Sequence, residues 1–521
     1  MIKVDNLSFR PNYNDEDIIK KLSTTLKLKS KDIDSYVILK KSIDARRKPD
    51  IKIILSLGVN LNKNINIKGY PNITVDNKGL TYIASNYDYR PVVVGFGPSG
   101  MFCALALCYM GYKPIVVEQG LDVDARTKMV EEFWNTGKLN PKCNVQFGEG
   151  GAGTFSDGKL NTNLNNSYCK VVINEFVLNG APKEIAYINK PHIGSDNLKV
   201  VVKNIRERIV SMGGEVRFNT QFVDYVTVND TISRVFVKNL NNNKIDTIDT
   251  KSLALCIGHS ARDTFRLLYD KGLELKQKPF AMGVRIEQSQ EKINLSQYGI
   301  LDSHLPPADY KLAVHLPNGR SVFTFCMCPG GVVVNSASNN GEVVTNGMSY
   351  FARNLPNANS AVLVNVVPED YGSTHPLAGI EFQSKYEQLA YSLTMGKECP
   401  AQTVGSFLGH KDTALKIVPS TAIKMSDISQ CLPDFVTQSL KEGLPLLNDK
   451  LKGFSDDGNL LIAIESRSSS PVTIVRDDTM QTKIKGLYPC GEGAGYAGGI
   501  ISSAVDGIKV AEAIRDNDKN K

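Results

Sequence analysis

The chain has 521 residues, 42% of them apolar and 22% charged, which excludes an intrinsically disordered polymer and predicts two or three domains. Its net charge of +7 is local: residues 1–85 hold 16 Lys/Arg against 9 Asp/Glu, and the rest of the chain carries 45 of each sign. The ten scattered cysteines exclude a disulfide-stapled scaffold, and Met1-Ile-Lys-Val-Asp leads into charged sequence rather than a signal peptide, so reduced thiols in a cytoplasm are expected.

Residues 1–85 read as a separate small domain. Lys3–Phe9 has strand character, and Asp15–Leu28 is helical, with Ile18, Ile19, Leu22 and Leu26 on one face. Tyr36–Leu39 and Ile51–Leu57 read as strands, with the basic stretch Lys40–Lys48 as the loop between them. This order fits a ferredoxin-like β-α-β-β unit. Such a basic patch can meet nucleic acid, but an RNA binder also places stacking aromatics beside the charge, and only Tyr36 is near. Nucleic acid is therefore disfavoured as a partner, and a small-molecule substrate is expected.

From about Tyr87 the pattern becomes strand, turn and helix. Arg90–Val94 is a β-branched strand, Ser99–Met110 an apolar helix with Gly111 as its C-cap, and Pro114–Glu118 a second buried strand. Val92–Tyr112 carries no charge and is about long enough for a bilayer. Gly95, Gly97, Pro98, Ser99 and Gly100 break it near its start, so no membrane span is expected.

The turn itself is Gly95-Phe-Gly97-Pro98-Ser99-Gly100, and Glu118 ends the next strand. The first glycine turns the chain, the second admits a pyrophosphate and the third lets helix and strand approach. The helix N-terminus offers free N–H groups to phosphate, and Glu118 is expected to take the ribose hydroxyls. Gln119 and Arg126 complete the candidate contacts of this half. This unit binds an ADP moiety, which belongs to FAD or to NAD(P).

Phe147-Gly-Glu149-Gly150-Gly151-Ala-Gly153-Thr154-Phe-Ser156-Asp157-Gly158-Lys159 follows, and so many glycines imply close approach of backbone to something flat or anionic. Asn197–Met212 reads as a helix, then Glu215–Asn219, Phe222–Val228, Ile232–Val237 and Leu253–Ile257 as strands. Between about 270 and 460, strand-like runs at Phe280–Ile286, Lys311–His315, Ser321–Cys326 and Ala361–Val367 predict an antiparallel sheet flanked by helices. From Leu487 the strand, glycine turn and helix texture returns: Gly486-Leu-Tyr-Pro-Cys-Gly491-Glu492-Gly493-Ala-Gly495-Tyr-Ala-Gly498-Gly499-Ile500-Ile501.

This last motif resembles the second FAD signature of the glutathione-reductase-like flavoproteins. The resemblance implies that Glu492 stands where the family's acid holds the ribityl or phosphate region, with Glu replacing the usual Asp. It also implies that Gly491, Gly498 and the backbone at Gly499, Ile500 and Ile501 face the flavin. Flavoproteins of this kind set a loop such as 147–159 against the ring, so Gly150, Gly151, Ser156 and Lys159 become candidates there, with Gly258 at the end of its strand.

Further segments extend the likeness: Lys190-Pro-His192-Ile-Gly194, Cys256-Ile-Gly258-His259-Ser-Ala-Arg262-Asp263, Cys326-Met-Cys328-Pro-Gly330-Gly331, Asn346-Gly-Met348 and Glu465-Ser-Arg467-Ser-Ser-Ser-Pro471. With these, almost the whole chain is similar to a bacterial family of FAD-dependent dehydrogenases, the NAD(P)/FAD-dependent oxidoreductases. The fold implied is a discontinuous Rossmann-type FAD-binding domain, 86–265 with 465–521, an inserted mixed or antiparallel substrate domain at 266–464, and the ferredoxin-like domain at 1–85. The cofactor implied is FAD, with NAD(P)H as a transient electron donor.

Beyond the three glycine-rich motifs above no further G-x-G-x-x-G is found for NAD(P)H, and no C-x-x-C or C-x4-C redox pair lies near the 147–159 loop, which argues against a classical disulfide reductase. Cys326 and Cys328 read as structural thiols, because a bridge across one strand residue is strained. No metal site is expected. Lys159, His259 and His192 are the catalytic candidates, His259 because it follows a buried strand ending at Gly258 and His192 because its loop is rich in small residues. Arg285 and Arg467 can grip an anionic substrate, or be spent on salt bridges to Glu287 or Glu465.

Overall fold

The computed structural model describes residues 1–62, 69–75, 77–83, 87–410 and 414–519. The expected boundary at 85/86 lies outside the described residues.

The N-terminal unit is β1 (Ile2–Phe9), α1 (Asp15–Leu26), β2 (Ile33–Asp44) and β3 (Lys52–Leu61). Asn14 caps α1 by accepting the Asp17 N–H, and Asp17 returns the bond to the Asn14 N–H. The sheet order is β1-β3-β2, antiparallel throughout, the split β-α-β of ferredoxin-like folds. Lys40–Asp44 does not form the loop read from the sequence. It continues β2, because Lys40 to Asp44 stay in register with Ser56 to Lys52, and charged side chains are tolerated on a half-exposed edge strand. Lys48 donates to the Ser296 carbonyl, and Lys41 exchanges backbone bonds with Tyr187 and Asn189, so this unit is fastened to the rest of the chain at two places.

A five-stranded parallel sheet forms the second layer, in the order Leu487–Pro489, Leu253–Leu255, Val92–Val94, Ile115–Val117, Glu215–Arg217. Its first strand comes from the far end of the chain, so this Rossmann-type sheet is closed by two distant stretches. The helices Pro98–Tyr109 and Ile500–Lys519 pack against each other on one face. Among the described residues no helix is long and apolar enough to cross a membrane. The uncharged Val92–Tyr112 stretch is buried strand and helix instead, which explains its composition.

The inserted region is built on a seven-stranded sheet, in the order Ala313–His315, Ser321–Cys328, Asn357–Val366, Phe280–Ser289, Leu460–Glu465, Cys399–Thr403, Ile423–Met425. All neighbours are antiparallel except the last pair. The long helices Ala378–Thr394 and Asp434–Lys450 cover it. Two arginines and two glutamates lie buried between segments: Arg262 bonds Glu342 and Glu387, and Arg467 bonds the same two carboxylates. The paired charges satisfy one another where water is excluded.

Candidate functional site

A cavity of about 490 Å³ lies where the parallel sheet meets the inserted sheet, within the size range of ligand pockets. Its lining divides into backbone and side-chain walls.

The backbone wall starts at Gly95. This residue has φ +94°, and a Cβ there would stand 2.3 Å from the Cys256 carbonyl oxygen. A Cβ on Gly100 would lie 1.9 Å from the Gly95 oxygen, so the strand and helix touch through backbone alone. The helix Pro98–Tyr109 begins at Gly97 with no side-chain cap, which leaves its first-turn N–H groups for a ligand. The 147–153 loop comes up against it: Gly150 N–H donates to the Phe96 carbonyl at 2.9 Å, and a Cβ on Gly151 would stand 2.9 Å from Gly97 Cα. Across the cavity, a Cβ at Gly258, Gly498 or Gly499 would meet no protein atom within 4 Å. These three positions therefore border open space on the cavity wall.

Glu118 lines this end and is nearly buried. Its carboxylate accepts the N–H groups of Phe96, Gly120 and Gly148, each at 2.9 Å. Oε2 takes one of these bonds, so a lone pair remains for a ribose hydroxyl. Glu118 thus ties three glycine-bearing loops together as well as facing the site. Gln119 borders a side crevice with Val94, Gly95 and Glu118. Gly97, Pro98, Ser99, Gly151, Ser156, Glu492, Gly498, Gly499 and Ile500 all stand on the cavity wall.

Several candidates serve the site from behind. Arg126 is fully buried and gives its guanidinium to the carbonyls of Asn144, Val145, Glu149 and Gly151, so it shapes the glycine loop and is not on the wall. Gly100, Gly150, Gly491 and Ile501 also lie off the wall, where they set backbone paths. Ser156 turns its hydroxyl to the Gly153 carbonyl and accepts the Gly158 N–H, which spends it on the local turn. Gly491 N–H donates to Asp506, which is held by a bidentate pair with Arg476. The sequence reading missed Asp506 and Arg476: Asp506 signals itself only as a charge on the buried face of the helix Ile500–Lys519, and Arg476 lies in the loop after the strand Val472–Ile474.

The three catalytic candidates separate. His259 stands on the wall, with Nδ1 3.0 Å from Glu492 Oε1. A carboxylate only accepts, so Nδ1 carries the proton. Nε2 is buried and has no hydrogen-bond partner among the described residues. Lys159 is on the wall and donates to the Met327 carbonyl. His192 is not on the wall: its Nε2 is 2.9 Å from the Phe351 carbonyl, and its ring stacks on Phe351. Burial, with Arg353 nearby, pushes its pKa below 6.5, which marks a neutral packed histidine.

Neither arginine candidate is available to a substrate. Arg285 makes a bidentate pair with Glu465, not Glu287, and also reaches Asn359. Arg467 faces the cavity but is committed to Glu387, Glu342, Ser260 and Ser338. Burial forces this outcome, because a charged group cut off from water needs full pairing.

The side-chain wall comes from Tyr310, Lys311, Thr324, Phe325, Cys326 and Asn346. Beneath it Asp157, fully buried, pairs with Arg353 and accepts from Ser349. Burial acts to raise the Asp157 pKa, but the Arg353 and Lys159 charges overcome it and hold the carboxyl below its ordinary range.

The glycine cradle, the uncapped helix N-terminus and the cavity size fit an adenine–flavin dinucleotide. A family match agrees. A family model described as "FAD-dependent protein, C-terminal domain-like" matches residues 279–468, and a domain of unknown function (DUF8436) matches residues 1–60. A Clostridium beijerinckii protein described as uncharacterised is 46% identical over 533 aligned positions, covering 98% of each chain. Among solved structures, a variant of E. coli quinol fumarate reductase FrdA is 11% identical, with 84% of this chain and 72% of that chain covered and a TM-score of 0.37. A flavoprotein/dehydrogenase from Cytophaga hutchinsonii is also 11% identical, with 83% and 79% covered and a TM-score of 0.37. On the near-complete likeness to its clostridial relative and the match over the inserted sheet, the chain belongs to this family of FAD-dependent proteins and takes FAD as its cofactor.

Proposed function

We propose that the protein is an oxidoreductase that moves a hydride between FAD and a small organic substrate or NAD(P)H, in the cavity between the two sheets. Under this reading 86–265 and 465–521 hold FAD, and 266–464 presents the substrate. The observation that carries it is the meeting of a glycine-built cradle with His259, a residue of the cavity wall whose buried Nε2 has no hydrogen-bond partner among the described residues.

Bound FAD supplies the hydride-accepting chemistry. Glu492 holds the His259 tautomer, which keeps Nε2 able to take a proton from substrate or return one. The Lys159 ammonium adds positive charge on the wall where negative charge develops. Phe325, Ile257 and Ile500 border the same space and limit water. The fit to positioning plus one proton-transfer group is what hydride transfer asks of a protein.

The purified protein is expected to be yellow and to release FAD on denaturation. Anaerobic bleaching by NADH or NADPH then identifies the nicotinamide donor, if one serves. His259→Gln is expected to keep FAD and to slow substrate-linked turnover by roughly a hundredfold. Unchanged turnover in that variant would remove His259 from the mechanism, and a colourless protein that refuses added FAD would remove the reading itself.

A further inference from the structure

We propose that Cys326 is a nucleophilic thiolate of this cavity, backed by Cys328, and that it exchanges with low-molecular-mass disulfides carrying carboxylates. The substrate class rests on the flavin-cleft reading above, but the thiol chemistry stands on its own residues.

The strand Ser321–Cys328 breaks register between Phe325 and Cys328. Cys326 sits in that bulge with φ +43°, a conformation that side-chain-bearing residues rarely adopt. The bulge undoes the simple alternation of a strand. Cys326 is half-buried on the cavity wall, whereas Cys328 is fully buried behind it. The Cys328 thiol is 3.4 Å from the Cys326 carbonyl oxygen and within hydrogen-bonding reach of the Cys326 sulfur. Arg285 donates to that same carbonyl at 3.3 Å, and Lys159 donates to the Met327 carbonyl next to it. The Cys328 S–H bond to sulfur lowers the Cys326 pKa first, burial and the Asp157 charge oppose it, and the Lys159 and Arg285 charges lower it further, below the ordinary cysteine value. A thiol at a cavity wall with a donor on its sulfur and two cations near it is the arrangement of a reactive cysteine.

Lys190 and Lys311 stand on the same wall, Lys190 paired with Asp309. Lys159 and Lys311 form no ion pair among the described residues, which leaves both ammonium groups on this wall for the carboxylates of a small disulfide. In the first step the Cys326 thiolate attacks one sulfur of R–S–S–R, a Cys326–S–S–R bond forms, and RS⁻ leaves. Cys328 then releases its proton to solvent, and its sulfur displaces the second RS⁻. The dithiol has lost two electrons and the small disulfide has gained them.

The test uses full-length protein loaded with FAD, with iodoacetamide and oxidised glutathione as probes and peptide mass spectrometry as readout. Cys169, the other half-buried cysteine, is the internal control. Cys326 is expected to alkylate ahead of Cys169, with a half-maximal pH below that of an ordinary cysteine, which lies at about 8.5. Oxidised glutathione is expected to leave a glutathionyl group on Cys326 in Cys328→Ser, and a Cys326–Cys328 bridge in the unaltered chain. Lys159→Met is expected to move the half-point upward. A half-point near the ordinary cysteine value, or modification of Cys169 first, would overturn the proposal without any variant having to fold. A protein that holds FAD while Cys326 stays inert sinks only this proposal, and a colourless protein with a reactive Cys326 sinks only the flavin reading.

Discussion

The two walls of the cavity are made in opposite ways. One end is backbone: Gly95, Gly97, Gly151, Gly258, Gly498 and Gly499 line it, packed backbone to backbone at Gly95 and Gly151 and open where a Cβ would stand at Gly258, Gly498 and Gly499. The opposite end is side chain: Tyr310, Thr324, Phe325, Cys326 and Asn346 reach in from separate strands and loops of the inserted region. A backbone wall depends on what the chain cannot carry there, namely a Cβ. A side-chain wall depends on register and on the charges that hold it, so it should respond to pH where the glycine wall does not.

Asp157 offers the strongest way to break that contrast. It is buried under the side-chain wall, paired with Arg353 and two residues from Lys159. Removing one partner of such a pair costs about 3 to 5 kcal/mol, so Asp157→Asn should lower the melting temperature sharply at neutral pH. Its folded pKa lies below the ordinary 3.8. The native state therefore holds its charge when the unfolded chain has begun to take a proton. The stabilisation is fully present above 3.8 and is lost as pH falls through the lowered folded value. Acid titration of unfolding should show a shallower fall for the variant than for the unaltered chain. Parallel curves would mean that the pair does not couple this wall to pH.

The same contrast explains what could be read in advance. The glycine turn at 95–100, its acid Glu118 and the second turn at 491–499 were legible because sterics admit few residue types there. The β-α-β-β order of the N-terminal unit was legible from apolar spacing. The strand Asn357–Val366 begins four residues earlier than Ala361, because Asn357, Asn359 and Ser360 are buried polar residues. Asn359 accepts from Arg285 and Asn357 donates to Glu287, partners that only the folded sheet supplies. The fates of Arg126, Arg285 and Arg467 were hidden for the same reason, since each is decided by carbonyls or carboxylates distant in sequence. Cys326 was hidden by a bulge, which strand periodicity does not announce.

Glu118 joins the walls' logic, as a buried charge that faces the cavity from the glycine end. A glutamine keeps its shape but has a single acceptor oxygen, so its NH₂ would face an amide N–H that now donates to a carboxylate. Hydrogen bonds to a charged group contribute about 1.5 to 3 kcal/mol, and part of that loss should appear in FAD binding. Glu118→Gln is expected to weaken FAD retention about tenfold, measured by equilibrium dialysis or by fluorescence of released flavin. Equal retention would show that neither the ribose contact nor the loop tie depends on the carboxylate.

The smallest effect on folding is the sharpest test of the glycine wall. A Cβ at Gly498 meets nothing within 4 Å, whereas one at Gly100 would collide with the Gly95 carbonyl at 1.9 Å. Gly498 also lacks the positive φ that penalises side chains. Gly498→Ala should therefore change the stability of the flavin-free protein by less than about 0.5 kcal/mol. Its methyl group would project into the cavity, so FAD affinity should still fall. The sign of each half matters. If stability drops with affinity, Gly498 is a structural glycine like Gly100. If both stay unchanged, the space beside it is not where the dinucleotide lies, and the cradle must be drawn closer to Gly97 and Gly151.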